Sequence, residues 1–162
     1  MPDLPTGTVT FKAGSHTLGS ATLSNGVASI NYAFQTADTT AITASYSGDS
    51  NFATSTSPAF NQVVKKAVTT AAMTSSSNPS LVGQLVTFTA TFNSVIGPPT
   101  DGETITFTDG SVVLGTVKMT GGVASFFTKK LSRGLHNIEA RYGGDAQHWA
   151  QTAAIVQSMK QR

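Results

Sequence analysis

The residues best placed to do chemistry fall in two matched clusters: Tyr46, Gly48 and Asp49, then Tyr142, Gly144 and Asp145. A carboxylate on a tight turn can ligate calcium, but calcium takes about six to eight oxygens, and one Asp per turn offers too few. The competing reading is structural. Glycine takes the left-handed position of the turn, Asp accepts hydrogen bonds from the turn backbone, and the Tyr ring fills the end of a core. That reading is the expectation here.

Three histidines, His16, His136 and His148, could serve a metal or a proton transfer if they converged with carboxylates. His136 and Glu139 fall on opposite faces of one strand, which keeps that pair apart. Serine is abundant, but no Gly-x-Ser-x-Gly elbow presents one as a nucleophile. Gly14, Gly19 and Gly26 are spaced as hairpin turns, not as a phosphate loop. The expectation is therefore no catalytic residue, no metal, no cofactor and no enzyme. Gln147, His148 and Trp149 are the candidate ligand contacts, because an exposed Trp stacks on a sugar ring. Against this, Trp149 aligns with Phe52, and an aromatic recurring at one position is expected to plug the end of a sandwich.

The elements that hold these residues are legible in the composition. Hydrophobic residues make up 39% of the 162-residue chain and charged residues 11%, well under the usual quarter. Thr and Val suit pleated, half-buried surfaces, while Gly, Asn, Asp and Ser suit the turns between them. The chain reads as all-β. Its net charge of +2 comes from scattered cations, with Lys65-Lys66 and Lys129-Lys130 the only basic pairs. That scatter argues against a nucleic-acid partner, which needs cations gathered on one face. The absence of cysteine excludes disulfides, thiolate zinc sites and a cysteine nucleophile. No apolar run reaches the roughly 18–20 residues of a membrane span. Met1–Pro5 does not read as a signal peptide, so the expectation is either an internal protein or a fragment of a longer one.

An internal repeat organises the chain. TVTFKAGSHTLG over Thr8–Gly19 recurs as TITFTDGSVVLG over Thr104–Gly115. GVAS over Gly26–Ser29 recurs over Gly122–Ser125, and ITASYSGD over Ile42–Asp49 as IEARYGGD over Ile138–Asp145. All three matches share one offset of 96 residues, the size of an immunoglobulin-like sandwich. Two domains are expected, an incomplete repeat over 1–67 and a complete one over 68–162. In the second, strands are expected over Thr69–Thr74, Gln84–Phe92, Thr104–Thr108, Val112–Met119, Val123–Lys130, His136–Tyr142 and Gln151–Met159. The alternation of Val86, Phe88, Ala90 and Phe92 with polar residues marks a half-buried strand, and Asp109-Gly110 a hairpin turn.

At these residues the chain resembles bacterial immunoglobulin-like repeat domains. The resemblance is carried by Asn78-Pro79-Ser80, Gly83-Gln84, Val86–Ala90, Asp109-Gly110, Leu114-Gly115, Gly122–Ala124 and Ala140-x-Tyr142-x-Gly144-Asp145. It implies tandem immunoglobulin-like β-sandwiches, the first lacking its opening strands. It also implies a non-catalytic spacer or stalk of a bacterial cell-surface or secreted protein, with extracellular or surface localisation. The alternatives it leaves are an adhesion or glycan-binding module and an accessory domain of an extracellular enzyme. The partners implied are neighbouring immunoglobulin-like repeats of a longer chain, and a surface glycan or a host or matrix protein.

The first copy has no equivalent of Thr69–Pro99. Gln84–Phe92 should lie beside Val123–Lys130, so the equivalent strand Val27–Phe34 should have an unpaired edge, with Ala28, Ile30 and Tyr32 facing an open core. Exposed edges recruit other strands, and a strand-exchanged homodimer is the expected remedy in a free chain. The junction Val63–Val68 holds no Gly or Pro, which predicts a stiff rod.

Overall fold

The computed structural model describes residues 4–161, with no helix among them. Two compact units divide between Lys65 and Lys66, two residues ahead of the junction expected from the repeat. Lys66 and Ala67 belong to the second unit because its backbone holds them. Ala67 donates to Gln147 O, Trp149 donates to Ala67 O, and the Lys66 ammonium donates to Asp145 O.

The first unit contains β1 (Thr8–Ala13), β2 (His16–Thr22), β3 (Thr39–Tyr46), β4 (Ser55–Thr56) and β5 (Phe60–Val63). They form one antiparallel sheet in the order β2-β1-β3-β4, with β5 also on β3. The second unit contains β6 (Thr70–Ser75), β7 (Ser80–Leu81), β8 (Val86–Asn93), β9 (Thr104–Asp109), β10 (Val112–Lys118), β11 (Val123–Thr128), β12 (Gly134–Tyr142) and β13 (Gln151–Lys160). These make two sheets, β10-β9-β12-β13-β7 and β11-β8-β6. The seven expected strands are present, with ends moved by a residue or two. β7, two residues running parallel to the end of β13, was not expected, because so short a strand carries no periodic signal.

The second unit is a filled β-sandwich. Val86, Phe88, Ala90 and Phe92 alternate inward along β8, and Ile105, Phe107, Ile138, Ala140 and Tyr142 meet them from the facing sheet, all buried. Burying each of the large side chains is worth roughly 1.5–3 kcal/mol. Phe107 and Phe126 stack at 5.3 Å, and Phe92 and Tyr142 lie 5.7 Å apart. The Phe107–Phe126 stack is close enough to dictate its neighbour, since a Cβ at Gly115 would come within 2.7 Å of the Phe126 ring.

Three strands of the first unit, β1, β2 and β3, have counterparts in the second, β9, β10 and β12. β1 and β2 share with β9 and β10 a bulge after the pairs Phe11–Gly19 and Phe107–Gly115. β3 matches β12. β13 is matched by two pieces, β4 and β5, separated by Ser57–Ala59. Pro58 there has no N–H for the ladder, and one extra residue shifts the register behind it.

Val27–Phe34 departs from expectation. It is not a strand, and only Val27 forms a bridge, to Ser24. Its counterpart β11 pairs with β8 alone, and without such a neighbour no ladder forms. None of the described residues 4–65 is fully buried. Phe11, Leu18, Ile30, Phe34, Ile42 and Phe60 instead line an open cavity of about 370 Å³.

This contrast predicts unequal mutational costs. Phe88→Ala should destabilise the second unit by about 3–5 kcal/mol, read from the urea transition of Trp149 fluorescence. Ile30→Ala should leave that transition in place.

Candidate functional site

The two Tyr-x-Gly-Asp turns follow the strands β3 and β12. Gly48 and Gly144 have φ of 75° and 85°. A Cβ at Gly48 would lie 3.0 Å from Phe52 O, and one at Gly144 would lie 2.9 Å from Ala150 N, so both conformation and space demand glycine. Each Asp carboxylate ties two loops together. Asp49 Oδ2 accepts from Thr6 N at 2.7 Å and the Thr6 hydroxyl at 3.0 Å, while Oδ1 accepts from Asn51 N and Phe52 N, both at 2.8 Å. Asp145 Oδ2 accepts from Thr100 N and its hydroxyl, both at 3.1 Å. Its Oδ1 accepts from Gln147 N at 2.8 Å and His148 N at 2.7 Å. The structural reading of the turns describes this arrangement, although the clamped threonines were not foreseen.

These bonds set the charge. The Thr6 amide, then the Asn51 amide, hold the Asp49 carboxyl far below the usual carboxylate range. Burial opposes ionisation of Asp145, but the Thr100 and Gln147 amides and the His148 ring outweigh it and hold that carboxyl low as well. Burial, together with the Asp145 charge, pushes the Tyr142 phenol upward.

The structure places Gln147, His148 and Trp149 in three different environments. His148 is buried at 3% exposure, and its Nδ1 donates to Asp145 Oδ1 at 2.9 Å. Its buried Nε2 has no hydrogen-bond partner among the described residues. Gln147 is half-buried, with its carbonyl accepting from Ala67. Trp149 is 57% exposed, and the Lys66 ammonium sits 5.5 Å from its ring centroid. Trp149 is therefore not the plug its alignment with Phe52 suggested. Phe52 donates to Asp49 Oδ1 and accepts from Asp49 N, as His148 does with Asp145. The residue equivalent to Phe52 is His148, and it fills the end of the second unit.

A second imidazole–carboxylate pair escaped the sequence. The nearly buried His136 donates from Nδ1 to Asp109 Oδ2 at 2.5 Å and from Nε2 to Ser132 O at 2.9 Å. Burial disfavours its charge, but two acceptors on the two nitrogens prevail and raise its pKa above the usual 6.5. Asp109 is the hairpin residue already singled out, yet only the register of β12 on β9, which sets Ile138 opposite Asp109, brings the two together. His16 is exposed on β2. Among the described residues no three His, Asp or Glu side chains gather as a metal site, and no helix is long and apolar enough to cross a membrane.

The family model of the bacterial Ig-like domain (group 3) matches residues 1–65 and 73–159. The chain belongs to that family. The two matched stretches of this Ig-like chain carry the two Tyr-x-Gly-Asp turns, one each. No curated protein matches it. Among solved structures, the fibronectin(III)-like modules of Clostridium thermocellum CbhA are similar at 18% identity and a TM-score of 0.39, over 98% of this chain and 82% of that one.

Asp145→Ala strands the donors of Thr100, Gln147 and His148 and should destabilise the second unit of this Ig-like chain by about 1–3 kcal/mol at pH 7. The folded carboxyl is depressed, so this contribution is full above the ordinary value of 3.8. It is lost as pH falls through the folded value. Wild type and variant should thus converge in acid denaturation. His136 has the opposite sign. Its contribution is full below 6.5 and is lost as pH rises through the raised folded value. The thermal midpoint should fall across that window in wild type, and His136→Gln should flatten the slope.

Proposed function

We propose that this chain is a non-catalytic spacer or stalk segment of a bacterial cell-surface or secreted protein, built from tandem Ig-like repeats. The observation that carries this reading is the use made of the most reactive-looking groups. Asp49 and Asp145 have both carboxylate oxygens engaged by chain donors, and His136 and His148 each brace a carboxylate. Such bonds occupy the carboxylates and, at His136, both ring nitrogens, and they tie loops to the ends of sheets, while the unpaired Nε2 of His148 is buried out of reach of a substrate. Family membership supports a structural or accessory role. In this reading the partners are neighbouring Ig-like repeats, and the site of action is outside the cell or on its surface. Attachment to an extracellular enzyme as an accessory is a variant of the same role.

One observation favours a second reading, adhesion to a glycan or a matrix protein. Trp149 is the single Trp, it is exposed, and a cation lies over its ring. Aromatic faces of this kind stack on sugars.

Immunoblotting of source-cell fractions with an antibody against residues 69–162 tests the first reading. Signal in the envelope or medium is expected, and signal confined to the cytosol would contradict it. Glycan-array or matrix binding lost in Trp149→Ala would establish the second reading. Equal binding by variant and wild type would remove it.

A further inference from the structure

The open face of residues 4–65 has a covered counterpart in the same chain. In the second unit, β11 pairs along β8 in the register Ala124–Ala90, Phe126–Phe88 and Thr128–Val86. The equivalent line in the first unit runs through Ala28, Ile30 and Tyr32, which edge the cavity and have no strand beside them.

A polar marker points to the same missing cover. Gln157 on β13 is fully buried. Its Oε1 accepts from Ser75 Oγ at 2.7 Å, and its Nε2 donates to Ser77 O and Ser80 Oγ, both at 2.9 Å. All three partners lie in the segment that opens the second unit. Gln62 is its counterpart. Each pairs with the equivalent residue of the neighbouring strand, Gln62 with Thr40 and Gln157 with His136. Gln62 lines the open cavity, and its Nε2 donates to the adjacent Val63 O at 3.2 Å. A glutamine in an apolar groove is an expensive lining unless its amide finds partners there.

Charge agrees with this. Residues 69–99 contain no Asp, Glu, Lys, Arg or His, and the cavity of the first unit is lined without a charged side chain. Stoichiometry removes a second copy of this chain as the donor. Each copy has one such segment for two acceptor sheets, and that segment already covers its own second unit. Strand exchange between copies would leave as many open faces as it closed.

We propose that the open face of residues 4–65 is a docking groove for an uncharged immunoglobulin-like opening-strand segment, built like residues 69–99, with Gln62 as its polar anchor. The donor strand lies antiparallel to residues 27–34, and its alternating apolar side chains enter the cavity where Phe88 and Ala90 enter the second unit. The accompanying serines take the Gln62 amide. This goes beyond the spacer reading and does not rest on it.

The test uses the full chain and a labelled synthetic peptide of residues 68–99 with a short lysine tail. Saturable one-to-one binding is expected, with NMR shifts of the Gln62 side-chain amide and of the backbone amides of 27–34. Gln62→Leu should weaken binding about tenfold, the loss of roughly one buried hydrogen bond. A peptide carrying Phe88→Asp, which cannot unfold the acceptor, should not bind. Three results would each overturn the proposal: no binding, shifts confined to β11 and β13 (invasion of the second unit), or peptide-free chain already dimeric through residues 27–34.

Discussion

An apolar sheet face has to be covered, and most of what distinguishes the two halves of this chain follows from that constraint. In residues 66–161 the cover is the opening segment, whose β6 and β8 form the sheet that β11 joins while its β7 edges the facing sheet. It brings four inward side chains over the facing sheet, gives β11 a partner and gives Gln157 its hydrogen bonds. In residues 4–65 the same facing sheet forms, with the same bulge and the same turn, but the residues equivalent to β11 do not join a ladder. Backbone hydrogen bonding in a sheet is cooperative with burial. Where no neighbour shields the strand, water competes for each N–H and C=O, and the gain per bond is small.

The Tyr-x-Gly-Asp turn shows how little the local chemistry depends on that cover. Asp49 receives the same kinds of donor as Asp145, although its surroundings are less buried. The turn is held by short-range geometry, with a left-handed glycine and two amides a few residues on, together with one threonine that approaches along the adjoining strand. Only the last of these is long-range. The His148 contact is an addition of the second unit, where the ring replaces the phenyl of Phe52 and supplies a donor to the carboxylate.

Much of this was legible in the residues. The Val86–Phe92 alternation marks β8 because a half-buried strand must alternate, and the turns announce themselves through glycine and Asp. What escaped depended on register. Phe52 was matched to Trp149 by side-chain type, whereas the hydrogen bonds match it to His148. The recurrence of Gln62 as Gln157 is hidden by the extra residue near Pro58, which moves the offset from 96 to 95. The meeting of His136 with Asp109 needs the alignment of β12 on β9, and no local pattern encodes it. Thr6 and Thr100 clamp equivalent carboxylates at an offset of 94, because the turn after Thr100 is two residues longer.

Amide hydrogen exchange on the intact chain, resolved by residue, tests the central claim most directly. If cover by an opening-strand segment is what makes a ladder, amides of β8, β11 and β12 exchange slowly and those of residues 27–34 exchange at nearly the rate of an unstructured peptide. Protection of residues 27–34 comparable to that of β11 would contradict the account, since it would mean that the first sheet closes its own core.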